Sequence, residues 1–87
     1  MSLEEVAKLR NLGFKSAEML ANVGVTNAEQ IRRLGSIGCF LLVKSAIPSI
    51  SLNLLWAIEG FLLDLDWRDL PDARKNDLRS ELAELKE

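Results

Sequence analysis

The chain has 87 residues, 48% of them apolar, with 11 basic and 13 acidic side chains and a net charge of −2. That length makes one small domain, residues 1–87, in which roughly 60% of the unfolded surface can be buried and little is left to wall a deep catalytic cleft. There is no histidine and no tyrosine, which removes histidine-based acid–base catalysis, serine and cysteine triads and most metal sites, so neither an enzyme nor a cofactor is expected.

The first helix is predicted to begin near Ser2, where Ser2 and Glu5 have the spacing of a capping box. No basic start followed by an apolar run opens the chain, and no stretch reaches the roughly 20 apolar residues of a membrane span, so the cytoplasm is the expected address. Val6, Leu9 and Leu12, then Ala17, Leu20 and Val23, give two short helices one apolar face each across a tight turn. Gly13 is expected to supply the unusual backbone conformation of that turn, with Asn11 the next most tolerant residue type where φ must be positive. Gly24 stops the second helix.

Thr26 with Glu29 reads as a second capping box, opening a third helix through Ile31 to Leu34. Leu34-Gly35-Ser36-Ile37-Gly38 then repeats the loop logic of residues 9–13, with Leu34 against Leu9 and Gly38 against Gly13. It is either a degenerate second hairpin or a glycine turn that matches by coincidence. The fourth helix, Gly38 to Ala46, is apolar on nearly every side and is expected to be the central buried one, with the lone cysteine, Cys39, as a core thiol. Ile47-Pro48 ends it, because the residue before a proline is pushed out of the helical region.

Ser49 or Ser51 caps a fifth helix through Leu52, Leu54, Leu55, Trp56, Ile58, Phe61 and Leu62. Glu59, its one charge, is expected on the wet edge rather than buried beside an arginine, since an unpaired buried carboxylate is costly. Residues 64–69 form a polar loop anchored by Trp67; Asp64, Asp66 and Asp69 lack the glycine and distal glutamate of a calcium loop, so no metal is expected there. Pro71 opens the last helix, whose stripe of Leu78, Leu82 and Leu85 lays it over the core as a lid. The fold class is all-α: a small five- to six-helix domain containing helix-hairpin-helix-like turns.

Charge is divided unevenly, with six basic and four acidic side chains in residues 1–46 and five and nine in residues 47–87. The hairpin half is mildly positive, far from the basic patch of a dedicated DNA binder, and any nucleic-acid affinity is expected to be weak and salt-sensitive. For a protein partner the acidic region Asp64 to Asp72 and the last helix are the better candidates.

Leu9-Arg10-Asn11-Leu12-Gly13 with Lys15-Ser16-Ala17 resembles the helix-hairpin-helix motif, with Arg10 where proline is usual and Asn11 where the first glycine is usual. In that motif loop amides and the start of the second helix face a DNA phosphate. Carried over, the nucleic-acid-binding residues are Arg10, Asn11, Leu12, Gly13, Lys15 and Ser16, while the bland alternative is that the hairpin only packs. These residues, with Gly24-Val25, Leu34-Gly35, the run Leu52 to Gly60, Trp67, Leu70-Pro71 and Arg74, together resemble the C-terminal domain of the TfoX/Sxy family of competence regulators. Phe14 stands where that family often has proline, and in longer members a separate N-terminal domain precedes this one. The resemblance implies a non-enzymatic regulatory module in transcriptional control of DNA uptake, meeting the cAMP receptor protein or transcription machinery, with weak DNA contact. A structural interaction or oligomerisation domain without nucleic acid is the alternative.

Overall fold

The computed structural model describes residues 3–85, and every regular element among them is helical. In order these are α1 (Leu3–Ala7), α2 (Phe14–Ala21), α3 (Ala28–Ala46), α4 (Leu52–Leu63) and α5 (Asp72–Leu85), with a 3-10 turn over Trp67–Asp69 ahead of α5. The expected Ser2 cap lies outside the described residues.

The turn between α1 and α2 is built by short-range backbone bonds. Leu9 N–H donates to the Val6 carbonyl and Leu12 N–H to the Leu9 carbonyl, each at 3.0 Å. Asn11 takes the left-handed conformation at φ 71°. Gly13 does not: at φ −120° and ψ −170° it is extended backbone open to any residue, so the conformational demand falls on Asn11 rather than on the glycine. Val6, Leu12, Ala17 and Leu20 are all buried, and α1 and α2 pack on each other through them. Gly24, at φ 86°, ends the second helix as expected; Val25 N–H reaches back to the Leu20 carbonyl at 2.9 Å, the long bond of a glycine-terminated helix, and Val25 is buried beneath it.

The capping box of α3 is shifted one residue from Thr26 and Glu29. Asn27 is the cap, its Oδ1 accepting the Gln30 N–H at 2.8 Å, and Gln30 Oε1 returns to accept the Thr26 N–H at 2.7 Å. An amide side chain in the third helical position does the work expected of the carboxylate, and Glu29 instead faces Arg33 at 3.8 Å on the surface. The third and fourth predicted helices are both present as the two arms of α3, broken at Gly35, whose non-helical φ 76° and ψ 172° lie in a region essentially reserved for glycine. The chain turns at that single residue and is helical again from Ser36, so Ser36 to Gly38 is helix and not loop.

The central helix is α4, not the second arm of α3. Leu54 through Gly60 are buried without interruption, whereas the α3 arm hides Ser36, Cys39, Phe40 and Val43 and leaves Leu42 39% exposed. Ser51, not Ser49, caps α4, accepting the Asn53 N–H at 2.9 Å. The last helix contributes Leu78 and Leu82 to the core, while Leu85 is 60% exposed and stands outside its stripe. Arg79 and Lys75 of α5 lie over the Trp56 ring at 5.1 and 5.7 Å, giving that thin stripe a second line of attachment. With these contacts the radius of gyration is 12.1 Å, matching the roughly 12 Å of a well-packed chain of this length.

Candidate functional site

Asn11 is the centre of the hairpin turn, and its side chain faces inward. Its Nδ2 donates to the Leu65 carbonyl at 2.7 Å and reaches the Ala57 carbonyl at 3.5 Å, while its Oδ1 accepts the Trp67 N–H at 3.0 Å. One amide thus ties the first turn of the chain to the end of α4 and the 3-10 turn. Gly60 makes room for it: a Cβ there would stand 2.7 Å from Asn11 Nδ2 and 3.0 Å from the Leu65 carbonyl oxygen.

The other five residues carried over from the motif divide in two. Arg10 Nη1 is 3.6 Å from Asp64 Oδ1, and Leu12 is buried. Gly13, Lys15 and half-buried Ser16 lie at the start of α2, where no side chain caps the first turn. The structure therefore keeps Gly13, Lys15 and Ser16 together at an open helix start. Asn11 and Leu12 are engaged with the fold, whereas Arg10 stays exposed, with only a solvated ion pair to Asp64.

Beside this start runs a groove of about 520 Å³ between α2 and α4. Met19, Leu54 and Ala57 form its apolar floor, Lys15 and Trp67 stand among its walls, and Ser51 and Asn53 bring in the capped start of α4. Trp67, expected as a core anchor, is 39% exposed here; Leu70, three residues on and 4% exposed, does the anchoring. The Asn11 side chain accepts from the Trp67 backbone N–H at 3.0 Å and so fixes the backbone of this turn beside the groove.

Half of the acidic stretch considered for a protein partner is already answered by arginine. Asp64 faces Arg10, and Asp66 takes two side-chain bonds from Arg68 at 3.0 and 2.9 Å. Those bonds, with the Arg68 backbone N–H, hold the Asp66 carboxyl well below the usual carboxylate range and push the Arg68 guanidinium up. Among the described residues no group of three or more histidine, cysteine or acidic side chains is arranged to hold a metal ion.

A second polar centre lies inside the fold. Glu59 is 4% exposed, against the expectation of a wet-edge position: its Oε1 accepts the Ser36 hydroxyl at 2.6 Å and its Oε2 accepts Arg74 Nε at 2.7 Å. The bond to Glu59 pushes the Arg74 guanidinium up. The signal that could have found this centre is the apolar company of Glu59, buried on both sides along α4, since a carboxylate there must have a partner. Its partner comes from a helix remote in sequence, and periodicity within one helix cannot point to it.

The family model described as the TfoX C-terminal domain matches residues 3–82. Among curated proteins the chain is similar to protein Sxy of Escherichia coli (strain K12), 27% identical over 75 residues, a stretch that covers 86% of this chain and 36% of that protein. Among solved structures it is similar to an uncharacterized protein from Listeria monocytogenes in a triclinic crystal form. The TM-score is 0.84 and the identity 25%, over 93% of this chain and 92% of the other.

Proposed function

The chain belongs to the TfoX C-terminal domain family, and we propose that it is a non-enzymatic binding module in the transcriptional control of DNA uptake, working chiefly through contact with a regulatory protein. The cAMP receptor protein or another part of the transcription machinery is the partner. The observation that supports protein over DNA is the state of the hairpin turn: Asn11 is bonded to three backbone groups of the fold and Leu12 is buried. For a phosphate the turn offers the helix start at Gly13 and Ser16 and two exposed cations, Lys15 and Arg10, the latter held only by a solvated ion pair with Asp64 at 3.6 Å, and so few cations make a weak, salt-sensitive contact.

The test is a ¹H–¹⁵N titration of the chain with the cAMP receptor protein and, separately, with a short DNA duplex at about 50 and about 200 mM salt. Shifts with the protein that persist at the higher salt support this reading. Duplex shifts over residues 13–16 at about 50 mM salt that fade at about 200 mM, with none from the protein at either, sink it. A second reading, an oligomerisation domain, has its own observation in the exposed Leu34, Leu42 and Leu63. Sedimentation equilibrium showing a dimer at micromolar concentration would favour it.

A further inference from the structure

We propose that the groove between α2 and α4 is a docking site for an acidic segment of a partner protein that carries an apolar anchor residue; this deepens the protein-contact reading above and rests on it. The volume, about 520 Å³, falls within the roughly 300–1,000 Å³ of ligand-sized clefts. Its floor is Met19, Leu54 and Ala57, and Trp67 stands half in solvent at its side. Methionine and tryptophan are residue types enriched where proteins meet. The backbone that carries the tryptophan is fixed by Asn11 at 3.0 Å, so the wall of the groove is in place before a partner arrives.

Charge sets the sign of the partner. Lys15 is the one charged side chain lining the groove, and no carboxylate lines it, on a chain whose net charge is −2. The two carboxylates closest to Trp67 on its N-terminal side, Asp64 and Asp66, are each paired with an arginine. The groove thus sets a single positive charge beside an apolar floor, complementary to a carboxylate flanking a leucine or phenylalanine. A nucleic-acid strand is the poorer fit, because a phosphodiester backbone needs several cations along its path and this groove offers one.

The experiment titrates ¹⁵N-labelled protein with three synthetic peptides: an acidic one with a central Leu-Phe pair, the same with Ser-Ser at the centre, and the first with every acid replaced by lysine. The Leu-Phe acidic peptide is expected to shift the amides of Lys15, Ser16, Met19 and Asn53 and the Trp67 indole, while the buried Trp56 indole stays in place. The other two peptides leave them unmoved. Lys15→Glu, at an exposed position, should weaken binding about tenfold with an unchanged spectrum elsewhere, and Arg33→Glu on α3 should not. Absence of groove shifts at about 1 mM peptide, equal binding of the lysine peptide, unaltered affinity in Lys15→Glu, or displacement of the peptide by an oligonucleotide each overturns the proposal. Salt-resistant shifts from the cAMP receptor protein on another face would remove the groove and leave the protein-contact reading standing.

Discussion

A single amide decides the shape of the hairpin. Asn11 supplies both a backbone that tolerates φ 71° and a side chain with two strong bonds to residues 54 and 56 positions away. The two contributions separate by mutation. Asn11→Gly keeps the backbone freedom and loses the bonds, a cost of about 2 kcal/mol at roughly 1 kcal/mol each; Asn11→Ala adds about 1 kcal/mol more for the left-handed conformation. Urea unfolding should rank wild type above Asn11→Gly above Asn11→Ala, and equal stability of the first two would show that the bonds contribute nothing. Residue type marks Asn11 as tolerant of positive φ but ranks it behind Gly13, and the structure reverses that order because only Asn11 has a side chain to bond across the turn. The partners of Asn11 were not legible, since nothing local marks bonds that span most of the chain. Cys39 was legible as a core thiol for the opposite reason, its apolar neighbours being local. It is fully buried, and burial pushes the thiol from 9.0 up to about 11. Between those values the unfolded chain loses this proton while the folded chain keeps it, so stability falls as pH rises through that window. Cys39→Ala should flatten the slope between pH 9 and about 11 in thermal melts, whatever it does to stability at neutral pH.

Helix ends were the most readable elements because capping and stopping are local chemistry. Gly24, Pro48 and Ser51 act where their residue types predict, and the α3 cap is displaced by only one residue, since Asn27 and Thr26 are both competent and Gln30 selects between their registers. Burial was harder to rank. Both α4 and the second arm of α3 are strongly apolar, and which one lies between the others depends on tertiary neighbours that composition does not encode. The kink of α3 shows a similar limit, for glycine spacing alone does not distinguish a loop over residues 35–38 from one bent residue. The structure makes the two glycines unequal in effect. At Gly35 a Cβ meets nothing within 4 Å, so the cost of Gly35→Ala is entirely conformational, about 1–3 kcal/mol, or a fall in Tm of roughly 5–15 °C. At Gly38, within the helix, the new Cβ meets Leu34 Cβ at 3.3 Å, an atom fixed to the backbone that no rotamer change can move. The helix-propensity gain of about 1 kcal/mol in Gly38→Ala is therefore offset by a small backbone shift, and the variant should be close to neutral. Calorimetry on the pair checks both sizes, and comparable losses at the two positions would refute the assignment of the kink to Gly35.

At the scale of the molecule, Glu59 is the point where α3, α4 and α5 are joined, through Ser36 and Arg74. α5 otherwise rests on Leu78, Leu82 and two cations over Trp56, so its attachment depends heavily on this ion pair. Because the Arg74 side chain is 40% exposed, water can reach the carboxylate when the guanidinium is removed, and the loss in Arg74→Ala is smaller than for a sealed pair, about 2 kcal/mol. Arg74→Lys restores the charge but not the Nε geometry and should recover part of it. Glu59→Gln keeps an acceptor for Ser36 and removes the buried charge. In the double variant Glu59→Gln with Arg74→Ala the effects should therefore be less than additive, with about 1 kcal/mol or more of coupling. Hydrogen exchange gives the sharper readout: in Arg74→Ala the amides of α5 should lose protection well before those of α4. Uniform loss across both helices would mean that α5 opens only when the whole molecule does, and that the Glu59 pair is a feature of the core rather than the fastening of its last helix.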